Sequence, residues 1–312
     1  MKKYLVIFIS ILLLSTTTLS AKGTAEKAIP NDPKVITGVL DNGLTYYIRE
    51  NTYPENRATL RLAVNAGSVL EDEDQQGLAH FVEHMAFNGT EKYSRNDLIY
   101  YLESFGMEFG ADINAHTSFD ETVYKLQVRT DVREQMEQGI DVLNQWAFHV
   151  TFDNEEIDKE RGVVLEEWRL GRGAQARMMD KTFPILFKDS KYGERLPIGK
   201  KETLTGFEYD SLKRFYRDWY RPGLMAVVAV GDFNAKEIEE LIKKGFSDYN
   251  NPGISRERIE EDVPSHSETL FSIQSDKEAT SSLIELINKY EQEKVRVPSD
   301  YKLKTSEMLY YN

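Results

Sequence analysis

Gly77-Leu78-Ala79-His80-Phe81-Val82-Glu83-His84-Met85-Ala86-Phe87-Asn88-Gly89-Thr90 is the stretch around which the chain is read. Apolar residues recur from Leu78 to Phe87 at helical spacing. The acidic run Glu71 to Asp74 precedes them, where negative charge favours a helix N-terminus, and Asn88-Gly89 ends the pattern. A solvated helix start suffices for those acids. Asn88-Gly89-Thr90 is also a glycosylation sequon, but helix termination is the preferred meaning. Residues four apart lie about 40° from each other around a helix, so His80 and His84 share a face and can grip one ion. Glu83 falls within about 60° of His80 on the same side, in reach of a water held there. The order is H-x-x-E-H.

The pair alone is equally compatible with ordinary helix residues, so a third ligand decides the matter. A catalytic zinc takes three protein ligands and keeps one position open. With no cysteine in the chain, the third must be histidine or carboxylate. Glu160-Arg161-Gly162-Val163-Val164-Leu165-Glu166-Glu167 offers one. Glu160 and Glu167, seven apart, lie within about 20° on one helix face, whereas Glu166 points about 100° away and reads as surface charge. Glu167 can therefore ligate with Glu160 in support, although helix periodicity accommodates salt bridges from these two to Arg161 or Arg169 just as well.

Outward from these stretches, Val35 to Leu40 and Leu44 to Arg49 read as strands joined by the turn Asp41-Asn42-Gly43, and Ala58 to Val64 alternates as a third. Helices are expected over Asp97 to Phe105, Val132 to Phe148, Asn154 to about Phe187 with a break at Gly171 and Gly173, Tyr209 to Tyr220, and Ala235 to Phe246. Ile113 to Val128 reads as two strands or one bent ribbon, and Met225 to Val230 as a buried strand. Amphipathic helices are expected at Ala279 to Tyr290 and from Ser306. Strands and helices mix without regular βαβ alternation, so the expected class is α+β, with a mixed, mostly antiparallel sheet covered by helices.

A chain of 312 residues with 40% hydrophobic and 29% charged residues and only 19 Gly and 9 Pro is globular. Its net charge of −13 has the wrong sign for gripping a phosphate backbone, so nucleic acid is excluded as a partner. Lys2 and Lys3, an apolar run from Tyr4 to Leu14 and a polar stretch to Ala21 form a secretory signal over residues 1–21. The run is too short to cross a bilayer, so no stable membrane anchor is expected. The protein is expected outside the cytoplasm, in the periplasm rather than the extracellular medium. Residues 30–255 read as a metal-binding catalytic domain and 256–312 as the start of a second, incomplete one.

The sequence resembles the pitrilysin family of zinc peptidases. The resemblance rests on the 77–90 and 160–167 stretches, on Asn114-Ala115-His116-Thr117-Ser118, and on Phe215 to Tyr220, Arg221-Pro222 and the strand through Val227, Val228, Val230, Gly231 and Asp232. It spans about Val35 to Tyr249. It implies a pitrilysin-type fold and one zinc ion on His80, His84 and Glu167. Glu83 would be general base, activating a water and passing its proton to the leaving amine, and Glu160 a carboxylate that orients the ligands. Asn114 and Ala115, on an edge strand, would bind the backbone of an extended peptide. His116 sits at a variable position of the family, lining a pocket or the surface; His149 and His266 read as structural. Family members enclose substrate between two similar halves, so a second pitrilysin-like half is implied, in cis, in a second copy or in a partner chain. The expectation is an exported zinc metallo-endopeptidase acting on oligopeptides or unfolded polypeptides. The alternatives are a non-catalytic binding or partner subunit of the same fold, and the active-site half of an enzyme that needs its other half.

Overall fold

The computed structural model describes residues 26–104, 107–108, 110–250, 256–289 and 295–311; the proposed signal lies outside them. No helix among the described residues is long and apolar enough to cross a membrane. The chain divides into two units. The smaller joins residues 26–31 to α9 (Pro298–Tyr311), with Ile29 N donating to Arg296 O at 2.8 Å; this helix contains the one expected from Ser306 and starts earlier, at its proline.

The larger unit, 32–289, is built on a six-stranded sheet in the order β1-β2-β6-β3-β5-β4. The strands are β1 (Val35–Val39), β2 (Thr45–Glu50), β3 (Arg57–Val64), β4 (Ile113–Thr117), β5 (Thr122–Arg129) and β6 (Met225–Gly231). Only β2 and β6 run parallel, so the sheet is mixed and mostly antiparallel. The β1–β2 turn uses Asn42 twice: its Oδ1 accepts from Leu44 N at 3.2 Å, and its Nδ2 donates to Phe246 O and Tyr249 O. Alternation along β3 buries Ala58, Leu60, Leu62 and Val64 on one face and leaves Arg61 exposed, the pattern of a sheet covered on one side. Residues 225–231 do form a strand, one that enters between β2 and β3 and unites the β1–β2 hairpin with the β3-β5-β4 ribbon.

Helices cover the buried face. In chain order they are α1 (Leu78–Asn88), α2 (Arg95–Ser104), α3 (Arg133–Phe148), α4 (Asn154–Leu170), α5 (Ala174–Leu186), α6 (Lys201–Gly206), α7 (Tyr209–Trp219) and α8 (Ala235–Phe246). α1 lies on β4 and β5, α3 on β3 and β5, and α8 on β2, while α4 and α7 pack against α1. The expected long helix over 154–187 is indeed two, parted at residues 171–173. Asp153 caps the first by accepting from Glu155 N and Glu156 N. The short α6 has no counterpart among the expected helices.

Two expectations are overturned. Residues 279–289 are not helical, and Leu283, Ile284 and Leu286 are exposed. An amphipathic helix draws most of its stability from burying its apolar stripe, and nothing among the described residues covers this one. The acids before α1 are also not merely solvated. Glu71 is 2% exposed; its two oxygens each accept from Gly77 N at 3.0 Å, and one accepts from Ala79 N at 2.8 Å. Asp72 pairs with Arg256 and Asp74 with Arg214. Glu71 thus satisfies backbone donors at the first turn of α1. Glu71→Ala would strand those donors and should lower the unfolding free energy by about 2–4 kcal/mol. Chemical denaturation tests this, and a loss below about 0.5 kcal/mol, the scale of an ordinary surface substitution, would show that the carboxylate does not anchor the helix.

Candidate active site

α1 buries Leu78, Ala79, Phe81, Val82, Met85 and Ala86, which fixes its rotation against the sheet and turns His80 and His84 toward α4. Gly77 enters the helix at φ +103°, a conformation that side chains rarely adopt, and a Cβ there would stand 2.9 Å from the Cα of Gly199. The helix stops at Asn88, which is 6% exposed and donates to His84 O, with Gly89 at φ 147° closing the turn.

Three donors meet between α1 and α4. His80 Nε2 and His84 Nε2 are 3.2 Å apart, and Glu167 Oε2 lies 3.8 Å from the first and 3.4 Å from the second. Zinc bonds of 2.0–2.2 Å in a tetrahedron require donor separations of about 3.3–3.6 Å; the three observed separations bracket that range to within about 0.2 Å, so two imidazoles and a carboxylate can close on one zinc ion with only a small adjustment. Facing nitrogens share at most one proton, so without a cation such an arrangement satisfies them poorly.

The surrounding groups set the charge state. His84 Nδ1 bonds Glu160 Oε1 at 2.8 Å, and Arg95 reaches the other oxygen of Glu160 at 3.6 Å. An ionised carboxylate only accepts, so Nδ1 carries a proton and Nε2 is the nitrogen left to face Glu167 and a metal. Burial disfavours the imidazolium of His84, but hydrogen bonds to Glu160 and Glu167 outweigh it and hold its pKa up at about 9. Burial and the charge on His84 together depress His80. Burial would raise Glu160, yet His84, Asn88 and Arg95 keep it below the usual carboxylate range. Glu167, half exposed, is lowered chiefly by its hydrogen bond to His84. Burial raises Glu83, partly offset by the hydroxyl of Thr117, which donates to Glu83 Oε2 at 2.6 Å.

The salt-bridge alternative for Glu160 and Glu167 is not realised. Arg161 donates to Leu204 O and Phe207 O and lies over the Phe207 ring, while Arg169 pairs with exposed Glu166 at 2.6 and 2.8 Å. His116 is exposed, 3.8 Å from Glu121. His149 bonds Glu91 and His266 bonds Glu268 O. Asn114 and Ala115 lie on β4, the edge of the sheet, where Asn114 folds back on its own strand: its Oδ1 accepts from Ala115 N at 2.8 Å and its Nδ2 donates to Gly110 O. Sequence reasoning missed the contact of Thr117 with Glu83 and that of Arg95 with Glu160. Strand alternation puts Thr117 on the same face as Ile113 and Ala115, but nothing local says that α1 lies there. An open cleft of about 740 Å³ flanks Glu167, lined by Val163, Leu170 and Ile198 with Lys159 and Glu166.

A sheet-backed helix bearing H-x-x-E-H, with a carboxylate from a second helix closing the cluster, describes a metallopeptidase-like site. Residues 46–181 match the profile described as insulinase (peptidase family M16), and residues 206–294 that of the peptidase M16 inactive domain. The chain belongs to this insulinase and pitrilysin family. Relatives include the zinc protease PQQL-like of Arabidopsis thaliana, 42% identical over 274 residues that cover 88% of this chain and 29% of that protein. The probable zinc protease PqqL of Haemophilus influenzae is 40% identical over 265 residues, 85% of this chain and 28% of that one. The crystal structure of the periplasmic protease PqqL from Escherichia coli superposes with a TM-score of 0.72 at 38% identity, covering 77% of this chain and 26% of that chain. The chain thus spans less than a third of the length of these relatives.

The state of His84 has a measurable sign. In the metal-free protein at pH 7 it holds a proton that zinc must displace, so binding should release close to one proton and become about tenfold tighter per pH unit until pH 9. Because its folded pKa lies above the ordinary 6.5, this group stabilises the metal-free fold fully below pH 6.5 and loses that effect as pH rises through about 9. Zinc titration calorimetry in buffers of different ionisation enthalpy reads the proton count; pH-independent binding between 6 and 9 would contradict the assignment.

Proposed function

We propose that this protein is an exported zinc metallo-endopeptidase that hydrolyses oligopeptides or unfolded polypeptides. The observation that carries this reading is the convergence of His80, His84 and Glu167 at zinc-compatible spacing, with the Glu83 carboxylate on the same helix. One zinc ion held by those three would polarise the scissile carbonyl and make water acidic enough to attack near neutrality. Glu83, largely removed from water, accepts the proton of the attacking water and returns it to the leaving amine. Its raised pKa suits both halves of that task. Glu160 holds the His84 ring in the ligating tautomer and orientation.

An extended peptide would add a strand at the β4 edge, the mode that favours unfolded segments because folded chains present no free backbone. Asn114 must then release Ala115 N for the incoming strand. The cleft beside Glu167 offers apolar cover to a substrate side chain. Export is supported by the basic-then-apolar start of the chain and by the periplasmic location of the Escherichia coli relative. Because the relatives extend well past the matched region, turnover would draw on a second pitrilysin-like half to enclose substrate, in cis, from a second copy or from a partner chain. The match of residues 206–294 to an inactive-domain profile is the one observation favouring a non-catalytic role, but all five site residues fall within 46–181.

Glu83→Gln should cut hydrolysis of an unstructured fluorogenic peptide by about 10²–10⁴-fold while one zinc stays bound. His80→Ala, His84→Ala or Glu167→Ala should lose the metal. Elemental analysis beside the turnover assay separates these outcomes; undiminished turnover in Glu83→Gln would remove Glu83 as the general base, and hydrolysis that persists in the three metal-free variants would end the zinc-peptidase reading.

A further inference from the structure

Thr117 occupies a junction that the proposed chemistry leaves unexplained. It is the last residue of β4, opposite Thr122, and it shares a strand face with Ile113 and Ala115, on the side where α1 packs. Its Oγ1 lies 2.6 Å from Glu83 Oε2 and 3.3 Å from Thr122 Oγ1. A hydroxyl has one proton to give. The carboxylate can only accept, and the contact with it is the shorter, charge-assisted one, so the proton of Thr117 goes to Glu83. Thr122, fully buried, donates to Ala66 O at 3.0 Å and backs Thr117 without competing for the carboxylate.

The turn after Thr117 is clamped. Ser68 N and Val69 N donate to Ser118 O and Phe119 O, and Ser118 N donates to Glu121 O. A Cβ on Gly67 would stand 2.4 Å from Ser118 O, so the turn packs directly on the backbone of that segment. Thr117 is therefore fixed by β5 on one side and the 67–69 segment on the other, while its strand keeps an open edge two residues away at Ala115.

We propose that Thr117 is a positioning residue: its hydroxyl aims the Glu83 carboxylate, and because it stands on the edge strand, a peptide docking along β4 and the general base are held by one rigid element. This rests on the peptidase reading above. A base must stand within hydrogen-bond reach of the proton it takes, and errors near 1 Å cost large factors in rate, so the gain from Thr117 falls on the chemical step and not on binding.

The test compares Thr117→Val, which keeps the shape and removes the donor, with Thr117→Ser, which keeps the donor, in the zinc-loaded protein. For Thr117→Val, kcat should fall about tenfold or more with KM and zinc content unchanged, and Thr117→Ser should return kcat to within about threefold. A readout independent of turnover is the affinity of a peptide hydroxamate, whose hydroxyl proton the neighbouring carboxylate accepts. Thr117→Val should weaken it about fivefold in the parent and leave it unchanged in the Glu83→Gln background. Unaltered kcat and hydroxamate affinity, additive losses in the two backgrounds, or a loss that Ser fails to restore in a variant that melts like the parent would overturn the proposal alone. Absence of zinc binding in the unsubstituted protein, or of hydrolysis once the second half is supplied, would overturn the peptidase reading and this proposal with it.

Discussion

The 2.8 Å contact between His84 Nδ1 and Glu160 Oε1 is the constraint on which the site depends. It joins helices through residues 76 apart in sequence, and it does so with a carboxylate that is almost wholly buried. A buried, unpaired carboxylate costs several kcal/mol, so Glu160 remains ionised only because His84 and Arg95 compensate it. The same contact orients the His84 ring, and through it the face that α1 offers to Glu167. At the opposite end of the helix Glu71 takes up the first backbone donors, so α1 is held by a buried acid at each end.

Burial and pairing act differently on the acids around the cluster. Glu167 is half exposed and depends on the histidines, Glu160 is buried and over-compensated, and Glu83 is buried with one hydroxyl to lean on. Three carboxylates on two neighbouring helices thus differ in proton affinity through their surroundings alone. In the proposed reaction this separation would let two of them stay anionic beside a cation while the third takes up and releases a proton.

Much of this is legible in the chain because the decisive spacings are local. Residues four and seven apart on a helix share a face whatever surrounds them, so His80 with His84 and Glu160 with Glu167 can be oriented before any fold is known. The Asp41-Asn42-Gly43 turn and the break at Gly171 and Gly173 rest on backbone preferences of the residues themselves. What escapes depends on contacts between distant segments. Glu71 resembles a surface acid because nothing in 71–74 reveals that its side chain turns back under the next helix. Thr117 resembles any residue of an edge strand because its partner belongs to another layer. The apolar spacing of 279–290 suggests a helix, but spacing cannot supply the surface against which such a helix would pack.

The placement of β6 carries a consequence for how the molecule is made. The hairpin of β1 and β2 and the three-stranded ribbon of β3, β5 and β4 touch no common strand until residues 225–231 arrive between them. As the polypeptide emerges from its N-terminus, the first five strands must wait as two separate ribbons through nearly a hundred residues of intervening helices. Both inner edges stay bare during that delay. The sheet is sewn shut by its last stitch, so the nascent chain stays open, and exposed to mispairing, until residue 225 has been made.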